Sequence, residues 1–182
     1  MTTSGPFRRA RRAALAGALL VLAPAAARAQ VRIDRSWLTF DSSASQVTFT
    51  LVAGLGGANG GMNFNGATQG AIVLTVPLGW HVTMKYRNAD QMQPHSAIVL
   101  PMTATVPATA GRPAFVGAAS RQVMQGTPPD GHEDINFTVD QAGEYRIFCG
   151  VPGHGMAGMW IRLTVAPAAR RPIIAVYEKP GG

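Results

Sequence analysis

Residues 46–52 alternate: Val47, Phe49 and Leu51 are apolar, and Thr48 and Thr50 stand between them. That period of two, on β-branched and aromatic residues, predicts a strand with one buried face. The rhythm returns at Trp80–Arg87, where Val82, Met84 and Tyr86 form the inward set and His81, Thr83, Lys85 and Arg87 the outward one. Ala71–Val76 is a fully apolar strand bounded by the turn Pro77-Leu78-Gly79. Further strands are expected over His95–Leu100, Ile135–Val139, Glu144–Phe148 and Trp160–Val165, with Val31–Asp34 and Trp37–Asp41 as edge pieces. Pro101–Asp134 carries five prolines and reads as loop, apart from a short helix pattern over Ala118–Gln125. Seven or so short strands without a long helix predict an all-β chain folded as a Greek-key β-sandwich.

Two glycine-rich stretches interrupt the pattern. Gly54-Leu-Gly-Gly-Ala-Asn-Gly-Gly61 has the look of a phosphate cradle, but neither a Gly-Lys-Ser/Thr nor a helix pattern follows, so that chemistry is set aside. The second stretch, Cys149-Gly-Val-Pro-Gly-His154-Gly-Met156-Ala-Gly-Met159-Trp160, lies between two predicted strands and holds the only cysteine of the chain.

Charge changes the picture only once the leader is removed. The formal charge is +7, yet five of the 16 basic residues lie before residue 30 and none of the nine acids does, which leaves eleven bases against nine acids. No cationic field remains to attract nucleic acid. Arginines followed by the apolar run Ala13–Ala27 and the small-x-small site Ala27-Arg28-Ala29 predict a secretory signal over residues 1–29, with Arg11-Arg12 compatible with twin-arginine export. The apolar run is shorter than the roughly 20 residues of a spanning helix. The expected domains are therefore the signal (1–29), a sandwich (30–166) and a basic, then apolar tail (167–182). Ile173–Tyr177 in that tail is apolar enough for an edge strand. The mature protein is expected to be soluble in the periplasm or outside the cell, without stable membrane insertion. A lone cysteine there has no internal disulfide partner and is either a buried apolar residue or a ligating thiol.

The second glycine-rich stretch supports ligation. Cys149 and His154 are five apart, as are His154 and Met159, and the intervening glycines let the backbone turn back on itself. Thiolate, imidazole and thioether are what a redox-active copper ion takes, in a His2Cys set with a weak axial Met. The second imidazole must come from elsewhere, and His95, after Pro94 at a strand start, is the candidate. Met156 competes with Met159 for the axial place but suits a contact surface better. Zinc sites favour more cysteines and use thioethers poorly. A pocket lined by Phe148, Pro152, Met159 and Trp160 would favour neutral Cu(I)–thiolate over cationic Cu(II)–thiolate and so raise the potential.

Phe148–Trp160 resembles the copper loop of the cupredoxins, most closely that of their sulfocyanin and rusticyanin branch. The resemblance runs back through Pro94-His95-Ser96, Asn88, the turn before Trp80 and Phe64-Asn65-Gly66. It implies a cupredoxin-like sandwich and one type 1 copper ion held by His95, Cys149, His154 and Met159. Asn88 and Ser96 would stand behind the ligands, Ser96 hydrogen-bonding near the sulfur. The implied activity is one-electron carriage in a respiratory chain, by a monomer, between redox proteins such as a cytochrome c or a terminal oxidase.

The apolar rim Pro152, Gly153, Gly155, Met156 and Ala157, with Met62 and Met92, is the expected docking surface. A copper-delivery protein is the competing reading, although such sites favour open Met/His clusters. Catalytic copper domains need more histidines than four, often paired His-x-His, and a dinuclear copper site needs a second cysteine. His81 and His132 are expected in solvent, with Asp130, Glu133 and Asp134 as solvent charges.

Overall fold

The computed structural model describes residues 1–2 and 31–177. The body of the predicted signal, its cleavage site and the last five residues lie outside that range.

Among the described residues nine strands form: β1 (Leu38–Asp41), β2 (Gln46–Ala53), β3 (Ile72–Pro77), β4 (His81–Asn88), β5 (Ile98–Pro101), β6 (His132–Thr138), β7 (Gly143–Phe148), β8 (Trp160–Ala166) and β9 (Ile173–Val176). They make two sheets, ordered β1-β2-β4-β6 and β5-β7-β8-β3-β9. From β2 to β7 the chain changes sheet at every step. This crossing makes β2–β4 and β3–β8 parallel pairs inside otherwise antiparallel sheets.

The alternation explains the core. Val47, Phe49 and Leu51 register with Val82, Met84 and Tyr86, and all six are nearly or fully buried. Ile135 and Phe137 of β6 continue the same layer. The facing layer comes from Ile72, Leu74 and Val76 of β3, Tyr145 and Ile147 of β7, and Ile161, Leu163 and Val165 of β8. The prediction of an all-β sandwich holds.

Some local expectations need correction. Ala118–Gln125 forms turns, not a helix. Its first residues pair beside β5, through Val99 N–H to Ala118 O (2.9 Å) and Ser120 N–H to Ala97 O (2.8 Å), and only a single i→i−4 bond, Gly126 N–H to Gln122 O (2.8 Å), follows. β6 begins at His132 rather than Ile135, because Glu133 and His132 register with Tyr86 and Arg87. The edge strand expected in the tail forms, since Ile173–Val176 pairs with β3.

The Pro-rich segment also has a packing role. The outer face of the second sheet carries Ile98, Leu100, Phe148 and Trp160, and Met102, Ala110, Ala119 and Val123 cover it. Residues 102–123 are thus a lid on a second apolar layer, not a free loop.

Candidate metal centre

The β7–β8 hairpin builds the centre. Its last strand pair is Phe148–Trp160, and both rings lie on the outer face. By the period of two, the next pair, Cys149 and Met159, points inward, and both are fully buried in the main core. Cys149 N–H to Met159 O (3.0 Å) closes the loop at its base. Within it, His154 N–H bonds Val151 O (3.1 Å), and Met159 N–H bonds His154 O (3.0 Å). The tip therefore folds back, and His154 returns over the two inward residues.

His95 arrives from the segment between β4 and β5. Its backbone exchanges hydrogen bonds with Thr127 (3.2 and 2.6 Å), which pins it one turn before β5. His95 Nδ1 lies 3.1 Å from His154 Nδ1, and Cys149 Sγ lies 3.7 Å from that same nitrogen. The donor atoms of His95, Cys149 and His154 all fall within 4.8 Å of one another. No other such group of three His, Cys or acidic residues occurs among the described residues. Two imidazoles and one thiol converging in a dry core fit a soft metal ion, and they do not fit Ca²⁺ or Mg²⁺, which take oxygen.

Burial pushes the Cys149 thiol above its ordinary value, against the opposing pull of N–H groups from Ser96 and Val151. Burial, reinforced by His95, lowers His154. The metal-free centre is thus a neutral thiol beside a neutral imidazole, and ligation must expel the thiol proton.

Ser96 does hydrogen-bond to the sulfur, through its backbone. Its backbone N–H reaches Cys149 Sγ at 3.4 Å, whereas its Oγ lies 3.9 Å away. The hydroxyl donates to Val123 O (2.7 Å) and accepts from Gly150 N–H (3.0 Å), so its single proton is committed elsewhere. Asn88, fully buried, donates to Gln93 O (2.8 Å) and Thr127 O (2.9 Å) and accepts from Asp90 N–H (3.0 Å). It joins the two segments that hold His95.

The rim differs from expectation at Gly155 and at Met62, which is half-buried against the main core. Pro152, Gly153, Met156 and Ala157 are exposed, Met156 by 62%, and Met92 by 86%. Gly155 is buried, because the Phe148 ring lies against it where a Cβ would stand. The expected pocket lining is likewise only partly real: Pro152 is exposed, and Phe148 and Trp160 belong to the outer layer. His132 is exposed on β6. Glu133 is not a solvent charge, since its carboxylate accepts from Arg121 N–H (3.0 Å) and Thr127 Oγ1–H (2.8 Å).

Sequence reasoning missed Asp90. It sits in a segment read as a polar loop, yet it is 8% exposed with Oδ2 3.0 Å from His95 Nε2. Its place five residues before His95 was the available signal.

Two crossed mixed sheets, with a Cys/His/Met loop meeting a histidine at one pole, define a cupredoxin. The chain belongs to the sulfocyanin (SoxE) domain family, whose model matches residues 34–176. It is similar to the sulfocyanin of Sulfolobus acidocaldarius, with 26% identity over 144 residues, 75% of this chain and 72% of that protein. Among solved structures it resembles reduced auracyanin from Roseiflexus castenholzii, with 23% identity, a TM-score of 0.50, and 66% and 97% of the two chains covered. It also resembles rusticyanin from Thiobacillus ferrooxidans, with 21% identity, a TM-score of 0.51, and 72% and 88% covered. Cupredoxins are blue copper electron carriers with one type 1 copper ion, and the His95–Cys149–His154 cluster is this chain's donor set for it.

Proposed function

We propose that this protein carries single electrons between respiratory redox proteins in the periplasm or outside the cell. The observation that carries the reading is the convergence of His95, Cys149 and His154 on one buried point. Bound there, copper supplies one-electron cycling between Cu(I) and Cu(II). His95 and His154 would present Nδ1, and Cys149 its thiolate. Met159 would complete the set as a weak fourth donor, because it is fully buried opposite Cys149, whereas Met156 is turned to solvent. With four protein donors no position remains for a substrate, which favours outer-sphere electron transfer over catalysis.

The same loop suits brief contact with a partner. His154 is half-buried at a face made of Pro152, Gly153, Met156 and Ala157, and residues 150–159 contain no acid, lysine or arginine. Small apolar faces are typical of weak electron-transfer encounters. A cytochrome c or a terminal oxidase is the class of partner proposed, with the protein acting as a monomer. The leader supports export, and among the described residues no helix is long and apolar enough to cross a membrane.

Voltammetry of the copper-loaded protein tests the reading. A reversible one-electron wave, with copper retained through repeated cycles in the presence of a Cu(I) chelator, is expected. Loss of copper to the chelator on reduction would instead mark a delivery protein.

A further inference from the structure

The glycine-rich stretch 54–61 has no chemistry of its own, but it encloses one acid. A Cβ on Gly54 would stand 2.6 Å from Asp90 Cβ and 2.8 Å from its nitrogen, and one on Gly61 would overlap Asp90 Oδ2. Gly54 and Gly61 also have φ of +74° and +89°, a region that L side chains enter at a cost. Ala89 N–H to Ala53 O (2.9 Å) and Gln93 Nε2–H to Gly60 O (3.0 Å) tie the two loops together. The stretch is the wall against which Asp90 is held.

Both carboxylate oxygens of Asp90 are assigned. Oδ1 accepts from Met92 N–H (2.8 Å) and Gln93 N–H (3.2 Å). Oδ2 faces His95 Nε2 at 3.0 Å, and no lysine or arginine pairs with Asp90 among the described residues. A buried carboxylate without a permanent cation is expensive, and an asparagine would satisfy Oδ1 equally well. Only the His95 contact needs a second acceptor oxygen.

We propose that Asp90 is a positioning residue of the centre: it holds His95 as the Nε2–H tautomer, leaves the Nδ1 lone pair for the metal, and biases the bound ion toward its oxidised state by its negative charge. The inference rests on the copper reading above. A carboxylate behind a ligating imidazole fixes ring and tautomer and raises ligand basicity. The charge balance gives the direction. With one thiolate alone, Cu(II) leaves a net +1 in the core and Cu(I) leaves zero. Adding Asp90 makes these zero and −1, so the oxidised site becomes the neutral one. This opposes the potential-raising effect expected from an apolar pocket.

The first test needs no variant. Nitrogen NMR of the metal-free protein should show the His95 proton on Nε2, and a proton on Nδ1 would overturn the assignment. Asp90→Asn keeps the Oδ1 acceptor but turns an NH2 toward Nε2–H. It should shift His95 to the other tautomer, weaken Cu(II) binding at least tenfold and raise the Cu(I)-to-Cu(II) affinity ratio at least tenfold, about 59 mV. Asp90→Ala should behave alike, and formate should restore its potential by entering the cleft of about 410 Å³ that Gly54, Gly61, Asp90 and Gln93 line. An Asp90→Asn protein with an intense charge-transfer band and an unchanged potential would refute the tuning role. If the parent protein gives no intense band with copper, the copper reading and the tuning role fall together. The tautomer result then stands or falls separately.

Discussion

Asn88→Ala tests how His95, the histidine outside the β7–β8 loop, is held. Asn88 is fully buried and makes three hydrogen bonds, to Gln93 O, Thr127 O and Asp90 N–H. All three partners belong to the frame around His95: Asp90 and Gln93 precede it, and Thr127 bonds its backbone. A neutral hydrogen bond contributes about 1 ± 0.5 kcal/mol net, so the set is worth roughly 1.5–4.5 kcal/mol, with about 3 kcal/mol the central expectation. For a domain of this size each kcal/mol moves the midpoint by about 2–4 °C, which gives a fall of about 6–12 °C. Thermal unfolding of the metal-free protein, followed by far-UV circular dichroism, is the assay. Asn136→Ala is the control, because Asn136 is exposed and its side chain accepts one bond, from Thr83 Oγ1 (2.9 Å). The control should lose under about 0.5 kcal/mol. An Asn88→Ala midpoint equal to the control's would refute the argument that this side chain ties the segments together.

Gly155→Ala should destabilise by about 1–3 kcal/mol, because its Cβ falls on the Phe148 ring, and differential scanning calorimetry would show it. Gly153→Ala meets no atom within 4 Å and should suffer only the αL penalty at φ +84°, about 1 kcal/mol. Burial holds the Cys149 thiol above its ordinary value of 9.0, so one proton leaves per copper bound, and apparent Cu(II) affinity should rise about tenfold per pH unit between about pH 6.5 and 8. A pH-independent competition titration would contradict this. The same shift makes the metal-free fold favour the thiol form, an advantage present below pH 9.0 and lost as pH rises through the folded value. Met156→Lys, at 62% exposure, should slow electron exchange with a cytochrome c in stopped-flow measurements and leave the copper spectrum unchanged, whereas an altered spectrum would place Met156 among the ligands.

The sandwich was legible because its strands have one buried face. Val47-Phe49-Leu51 and Val82-Met84-Tyr86 alternate in sequence and register side by side in space. The loop chemistry was legible because Cys149, His154 and Met159 are close along the chain. What the sequence concealed depends on contacts between distant segments. Ala118–Gln125 has a helical composition, but Ala118 and Ser120 pair with Val99 and Ala97 beside β5. Asp90 looks like any loop acid until Gly54 and Gly61 are seen to close over it. The proton of Ser96 Oγ goes to Val123, a partner 27 residues away, which leaves the amide to face the sulfur.

The visible spectrum of the protein from Gln30 onward, titrated with Cu(II) beside a Cys149→Ser control, tests the central claim most directly. An intense sulfur-to-copper charge-transfer band is predicted, saturating at one copper, bleached by a reductant and absent from the control. A pale band shared by both proteins would mean that copper binds through histidine alone, and the electron-carrier account would be contradicted.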